Sequence, residues 1–148
     1  MIYWLTGQPG AGKTTIAKEL CKLGGMVTPS PWFNVDGDDI RNIFDNKDYS
    51  EQGRRKNIEL AQQLSQYLHS KDNNVVVSLV SPYKDQREAF KEKMGDDLVE
   101  VYVHTSETRG RENFFVENYE PPTEDFINIC TDNVKVEICV DTIIAHSF

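Results

Sequence analysis

The chain is expected to form a single α/β domain, residues 1–148, in which a five-stranded parallel sheet lies between two layers of helices. Three observations carry that expectation. Short apolar segments alternate with segments of helical spacing from one end to the other. The segment 75–80 is apolar on both faces, as a central parallel strand is. And 148 residues suffice for one core, with no repeat, linker or low-complexity stretch to divide it.

Residues 2–6 read as a short buried first strand. Residues 13–23 follow as a helix, with Ile16, Ala17, Leu20 and Leu23 on one side, and the pair Gly24-Gly25 is expected to end it. After Pro29 and Pro31, residues 32–35 form a second strand and residues 38–44 one or two helical turns. Ser50 is placed to cap a long helix from Glu51, with Ile58, Ala61, Leu64 and Leu68 as its apolar stripe. Asp72-Asn73-Asn74 is a turn, and 75–80 the clearest strand. A helix over 85–94, a turn at 95–97 and a fourth strand over 98–103 follow. Residues 105–122 are charged and without periodicity. A fifth strand over 126–129 and a closing helix over 134–145 complete the domain.

Composition excludes several classes. Hydrophobic residues are 39% and charged residues 27%, which is ordinary for a globular chain. The formal net charge is −8, from 16 Lys and Arg against 24 Asp and Glu. That balance argues against a nucleic acid partner but not against a small anion held by local cations. No segment approaches the ~20 apolar residues of a membrane span. The three cysteines, Cys21, Cys130 and Cys139, show no metal or disulfide spacing and suit a cytoplasmic protein.

The chemistry begins at residue 7. Gly7-Gln8-Pro9-Gly10-Ala11-Gly12-Lys13-Thr14 fits G-x-x-x-x-G-K-[ST] between a strand and a helix, the setting a phosphate-binding loop requires. The backbone amides of Gly7, Gly10, Ala11, Gly12, Lys13, Thr14 and Thr15 are expected to face the phosphates of ATP. Lys13 would reach the β- and γ-phosphates, and Thr14 would offer its hydroxyl to Mg²⁺. The fold expected is therefore the three-layer P-loop kinase fold. Beyond the second strand, Asp36 and Asp38 could serve a metal through its waters and an acceptor hydroxyl, or Asp38 could simply cap a short helix. Arg41 could fork onto an anionic substrate.

These motifs together resemble the adenylylsulfate kinase family. GQPGAGKTT corresponds to its phosphate loop, VDGDDIR to DGDNIR, Tyr49 to Asn57 to FSxxxRxxN, and Ser78 to Arg87 to SFISPYRxDR. Tyr119-Glu120-Pro121-Pro122 is similar to a Tyr-Glu-Pro stretch near the family's C-terminus. The resemblance implies transfer of the γ-phosphoryl group of ATP to adenylylsulfate, a small anionic acceptor. It assigns acceptor contacts to Asp38, Asp39, Ile40, Arg41, Tyr49, Arg54, Asn57, Val80 and Ser81, with Tyr49 stacking on a base. Lys13, Asp36, Asp38 and Ser81 become the catalytic set. Ser81 has been proposed in the family to carry the phosphoryl group; direct in-line transfer is the reading preferred here. A homodimer is a further expectation of the resemblance.

The chain also departs from the pattern. The family's lysine-bearing lid is missing, and residues 105–118 stand in its place. Arg109 and Arg111 flank Gly110 there, as a mobile lid over phosphates would require. Phe114 or Phe115 would supply the second stacking aromatic. Asp39 stands for an Asn, and Glu59-Leu60 for paired arginines. A kinase of the same fold acting on another small acceptor, such as a modified nucleotide or a sugar, is therefore the alternative. A nucleotide-binding module without turnover is a third reading, disfavoured by intact Lys13, Thr14, Asp36 and Asp38.

Overall fold

A computed structural model describes residues 1–147. Among these residues five strands form one parallel sheet in the order β2-β3-β1-β4-β5. The strands are β1 (Ile2–Thr6), β2 (Trp32–Asp36), β3 (Asn74–Ser78), β4 (Leu98–His104) and β5 (Ile127–Cys130). The helices are α1 (Lys13–Val27), α2 (Gly37–Ile43), α3 (Glu51–Ser70), α4 (Lys84–Met94) and α5 (Val136–Ser147).

Strand alternation sorts the core into two layers. Tyr3 and Leu5 of β1 point to one face, where Ile16 and Leu20 of α1 and Val140 and Ile143 of α5 cover them. Ile2 and Trp4 point to the other face, against Ile40 of α2, Ile58 and Ala61 of α3, and Phe90 of α4. Each side chain of this size contributes about 1.5–3 kcal/mol on full burial. No described helix is long and apolar enough to cross a membrane.

One boundary is corrected. The Gly24-Gly25 pair does not end α1, which runs on to Val27 and closes where the backbone N–H and the hydroxyl of Thr28 both donate to the Gly24 carbonyl. Gly24 serves packing instead. A Cβ there would lie 2.2 Å from Trp32 Cε2, and Trp32 in turn stacks on Tyr3 at 5.6 Å. The ~1 kcal/mol that a helical Gly costs relative to Ala is offset by that contact. The segment 75–80 pairs only as far as Ser78, so Leu79, Val80 and Ser81 leave the sheet as a loop at its C-terminal edge. α2 is capped by Asp36, whose carboxylate accepts the Asp38 N–H, and not by Asp38.

Candidate active site

The C-terminal ends of β1, β2 and β3 open into a cavity of about 870 Å³. Ligands in open parallel sheets sit at this edge. Its floor is the phosphate loop. Gly10 and Gly12 take φ of 84° and 109°, a region that Gly enters without strain. Gly12 caps α1 without a side chain, and no acid lies in the first turn. The first amides of the helix and its positive end are thus directed at the cavity, as an anion site needs.

Lys13 is buried at the loop, and its ammonium donates to the carbonyls of Gly7 at 2.7 Å and Gln8 at 2.8 Å. Burial lowers its pKa to about 8; Asp36 pulls it back up, and Arg111 pushes it further down. Thr14 Oγ1 donates to Asp36 Oδ1 at 3.1 Å, and Ser78 Oγ donates to the same oxygen at 2.8 Å. Two hydroxyls and a carboxylate therefore meet beside the phosphate loop. Among the described residues no group of three or more His, Cys, Asp or Glu is placed to hold a metal. The hard oxygen donors of Thr14 and Asp36 fit Mg²⁺ bound chiefly by phosphates and water.

The opposite wall comes from α3 and the loops around it. Asn57 is 5% exposed; its Nδ2 donates to the Gly37 carbonyl at 3.3 Å, while its Oδ1 has no partner among the described residues. A buried acceptor of this kind costs free energy until a donor meets it. Arg54 lines the same wall and forms no side-chain hydrogen bond or ion pair among the described residues. Tyr49 is 63% exposed, with the Arg41 guanidinium 3.9 Å above its ring centroid. Arg41 also donates to the carbonyls of Asn46 and Asp48. One nitrogen of its fork, Nη1, thus holds the 44–49 loop. The exposed carboxylate of Asp38 completes this side.

Ser81 and Val80 form the back wall. Ser81 has a φ of 47° and accepts the Trp4 indole N–H at 3.2 Å. Its carbonyl accepts from Arg87 at 2.6 Å and from Thr6 at 3.1 Å. Arg87 is itself buried, paired with Glu100 at 2.9 Å and bonded to the Glu120 carbonyl. This buried ion pair sets the path of the 79–83 loop.

Residues 105–118 form the roof, and they are strapped to the phosphate loop. Arg109 donates to the carbonyls of Gly10 and Ala11 and to Thr131, and it pairs with Glu107 at 2.9 Å. Asp132 accepts from Ser106 and Thr105, and these bonds hold its carboxyl well below the usual carboxylate range. At the far end the Gln8 side chain exchanges two hydrogen bonds with Val116. Between the two anchors Arg111, Phe114 and Phe115 face the cavity. The Arg111 guanidinium lies 5.4 Å from the Phe114 ring centroid, and its charge helps to lower the pKa of Lys13.

Most residues expected from sequence therefore share one cavity. Asp39 and Ile40 do not line it: Asp39 is exposed elsewhere, and Ile40, 1% exposed, fills the core beside Val35 and Ile58. Gly7 and Ala11 are buried behind the loop and act through backbone groups. Of the two lid arginines only Arg111 is free of carbonyl partners among the described residues. Sequence reasoning missed Ser78, Gln8 and Thr131. Ser78 had a signal, being the polar end of the most apolar strand; the other two act only through tertiary contacts.

The lining carries five cations (Lys13, Arg41, Arg54, Arg109 and Arg111) against two carboxylates, Asp36 and Asp38. A chain of net charge −8 thus concentrates positive charge here, which suits two anionic ligands.

The chain is similar to known proteins in sequence and in fold. The family model for adenylylsulphate kinase matches residues 1–124. The adenylyl-sulfate kinase of Pseudomonas aeruginosa is 30% identical over 165 aligned positions, covering 98% of this chain and 84% of that protein. A probable adenylyl-sulfate kinase of Pyrococcus abyssi is 36% identical over 106 positions, covering 68% of this chain and 58% of that protein. The Mycobacterium tuberculosis APS kinase, solved with AMPPNP and APS, superposes with a TM-score of 0.81 at 19% identity, covering 97% of this chain and 95% of the other.

Proposed function

The chain belongs to the adenylylsulfate kinase family of ATP-dependent phosphotransferases, and we propose that one domain, residues 1–148, moves the γ-phosphoryl group of ATP onto the hydroxyl of adenylylsulfate. The observation that carries this reading is the cavity itself. A phosphate loop forms one end; the other is an acceptor wall where, among the described residues, Asn57 Oδ1 has no donor and Arg54 no partner.

The loop amides and Lys13 hold the β- and γ-phosphates, and Arg111 approaches from the roof. Mg²⁺, held by Thr14 and, through water, by Asp36, would neutralise charge on the same phosphates. Arg54 pairs with the anionic end of adenylylsulfate, and Asn57 accepts from its base. Tyr49 and one of Phe114 and Phe115 stack on that base. Asp38 takes the proton of the acceptor hydroxyl. The hydroxyl oxygen bonds to the γ-phosphorus as the bond to the bridging oxygen breaks, and ADP and 3′-phosphoadenylylsulfate leave. Ser81, whose hydroxyl receives the Trp4 N–H, positions the acceptor loop, and in-line transfer needs no phosphoryl group on it.

The charge changes at Asp39 and Glu59 lie off the cavity lining, so they leave an anionic acceptor acceptable. All three cysteines are free, which suits a cytoplasmic setting; a homodimer belongs to the same proposal and is read by light scattering. The test is ADP release across a panel holding adenylylsulfate, other nucleotides and sugars. Adenylylsulfate should give the highest kcat/KM. A sugar or a plain nucleotide that outpaces it would replace this reading with a same-fold kinase of another acceptor.

A further inference from the structure

The phosphate loop and the acceptor roof are joined by one side chain. Gln8 Nε2 donates to the Val116 carbonyl and Gln8 Oε1 accepts the Val116 N–H, each at 2.9 Å. An amide that meets both backbone groups of one residue reproduces the pairing of a neighbouring strand, so it fixes position and orientation together. Val116 is buried and directly follows Phe114 and Phe115, which face the cavity. The Gln8 backbone is engaged as well: its carbonyl accepts from the Lys13 ammonium at 2.8 Å and from the Ala11 N–H at 3.3 Å. A continuous chain of contacts therefore runs from the phosphate-binding lysine through Gln8 and Val116 to the roof aromatics.

We propose that Gln8, a variable position of the phosphate-loop motif, is a positioning residue for the acceptor: its amide latches the roof, so that the P-loop sets where Phe114 and Phe115 stand. The physical ground is selectivity of attachment. The 109–111 end of the roof has its own anchor, since Arg109 holds Gly10, Ala11 and Thr131. The 114–116 end has Gln8. Removing the amide leaves the phosphate loop's glycines, Lys13 and helix terminus unchanged. It frees only the roof end that bears the aromatic pair. The effect therefore falls on the acceptor and not on ATP.

The inference rests on the acceptor reading above, and its test separates the two. Gln8→Ala and the near-isosteric Gln8→Met are compared with the unaltered full chain in two measurements. In hydrogen–deuterium exchange on the ligand-free protein, residues 111–118 should exchange at least several-fold faster in both variants, while α1 exchanges as before. In steady-state kinetics, KM for adenylylsulfate should rise about tenfold and KM for ATP should stay within about twofold. Unchanged exchange over 111–118 overturns the latch, and so does an equal rise in both KM values. If the unaltered enzyme fails to phosphorylate adenylylsulfate, the functional reading falls, and the exchange measurement still decides the latch.

Discussion

Thr14 Oγ1 and Asp36 Oδ1 meet at 3.1 Å, joining the start of α1 to the end of β2. The contact brings a phosphate-loop hydroxyl to the carboxylate that also caps α2 through the Asp38 N–H. Asp36 thus has a structural task and a charged task, and one substitution separates them. Asn caps a helix about as well as Asp. Asp36→Asn should leave thermal stability nearly unchanged and cut kcat by about 10²-fold or more, with a higher Mg²⁺ requirement. Thermal melts and Mg²⁺ titration of the rate check this. Full activity in Asp36→Asn would remove the carboxylate from the metal's surroundings.

Arg54 and Asn57 line the cavity together, and among the described residues neither side chain hydrogen-bonds to the phosphate loop. Arg54→Ala and Asn57→Ala should each raise KM for adenylylsulfate by about tenfold or more, with little change in KM for ATP. Initial rates with either substrate varied decide the point. Equal effects on both substrates would place this wall on the ATP side.

The two roof arginines should behave differently. Arg111 lines the cavity and has no carbonyl partners among the described residues, whereas Arg109 is bound to Gly10, Ala11 and Thr131. Arg111→Ala should lower kcat by about 10³-fold or more, in the range of arginines that touch transferred phosphoryl groups. Arg109→Ala should loosen the loop and weaken ATP binding first. Single-turnover rates and ATP binding isotherms separate the two. A larger kcat loss in Arg109→Ala would reverse the assignment.

Lys13 gives a pH signature. Burial holds its pKa at about 8 in the ligand-free protein, below its unfolded value of roughly 10.4. Between those values the unfolded chain binds more protons, so this group makes stability rise with pH there. Phosphate favours the charged form, so ATP binding above pH 8 should take up a proton. Below about pH 7 this group should take up none. Calorimetry at pH 8.5 in buffers of different ionisation enthalpy measures the uptake. None at pH 8.5 would mean that Lys13 stays charged without ATP.

Local signals were readable because local chemistry wrote them. The phosphate loop needs glycines, Lys13 and Thr14 in one continuous run, and the central strand needs apolar residues on both faces, so each stood out in the sequence. The signals that misled had two physical explanations. Gly24 looks like a helix stop, yet it is there to admit the Trp32 ring. Ile40 sits inside a substrate-like motif, yet α2 turns it into the core. Arg109 and Arg111 are alike in sequence and differ only in what the fold sets beside them. The Gln8–Val116 pair spans 108 positions of the chain, and no local pattern encodes it.

In this kinase the γ-phosphoryl group of ATP should reach the acceptor hydroxyl of adenylylsulfate. A γ-labelled ATP incubated with Mg²⁺, adenylylsulfate and the full chain follows that transfer. The label should move into 3′-phosphoadenylylsulfate in step with ADP formation, and Lys13→Ala should abolish the transfer. Label released as inorganic phosphate, with adenylylsulfate left unmodified, would contradict the account.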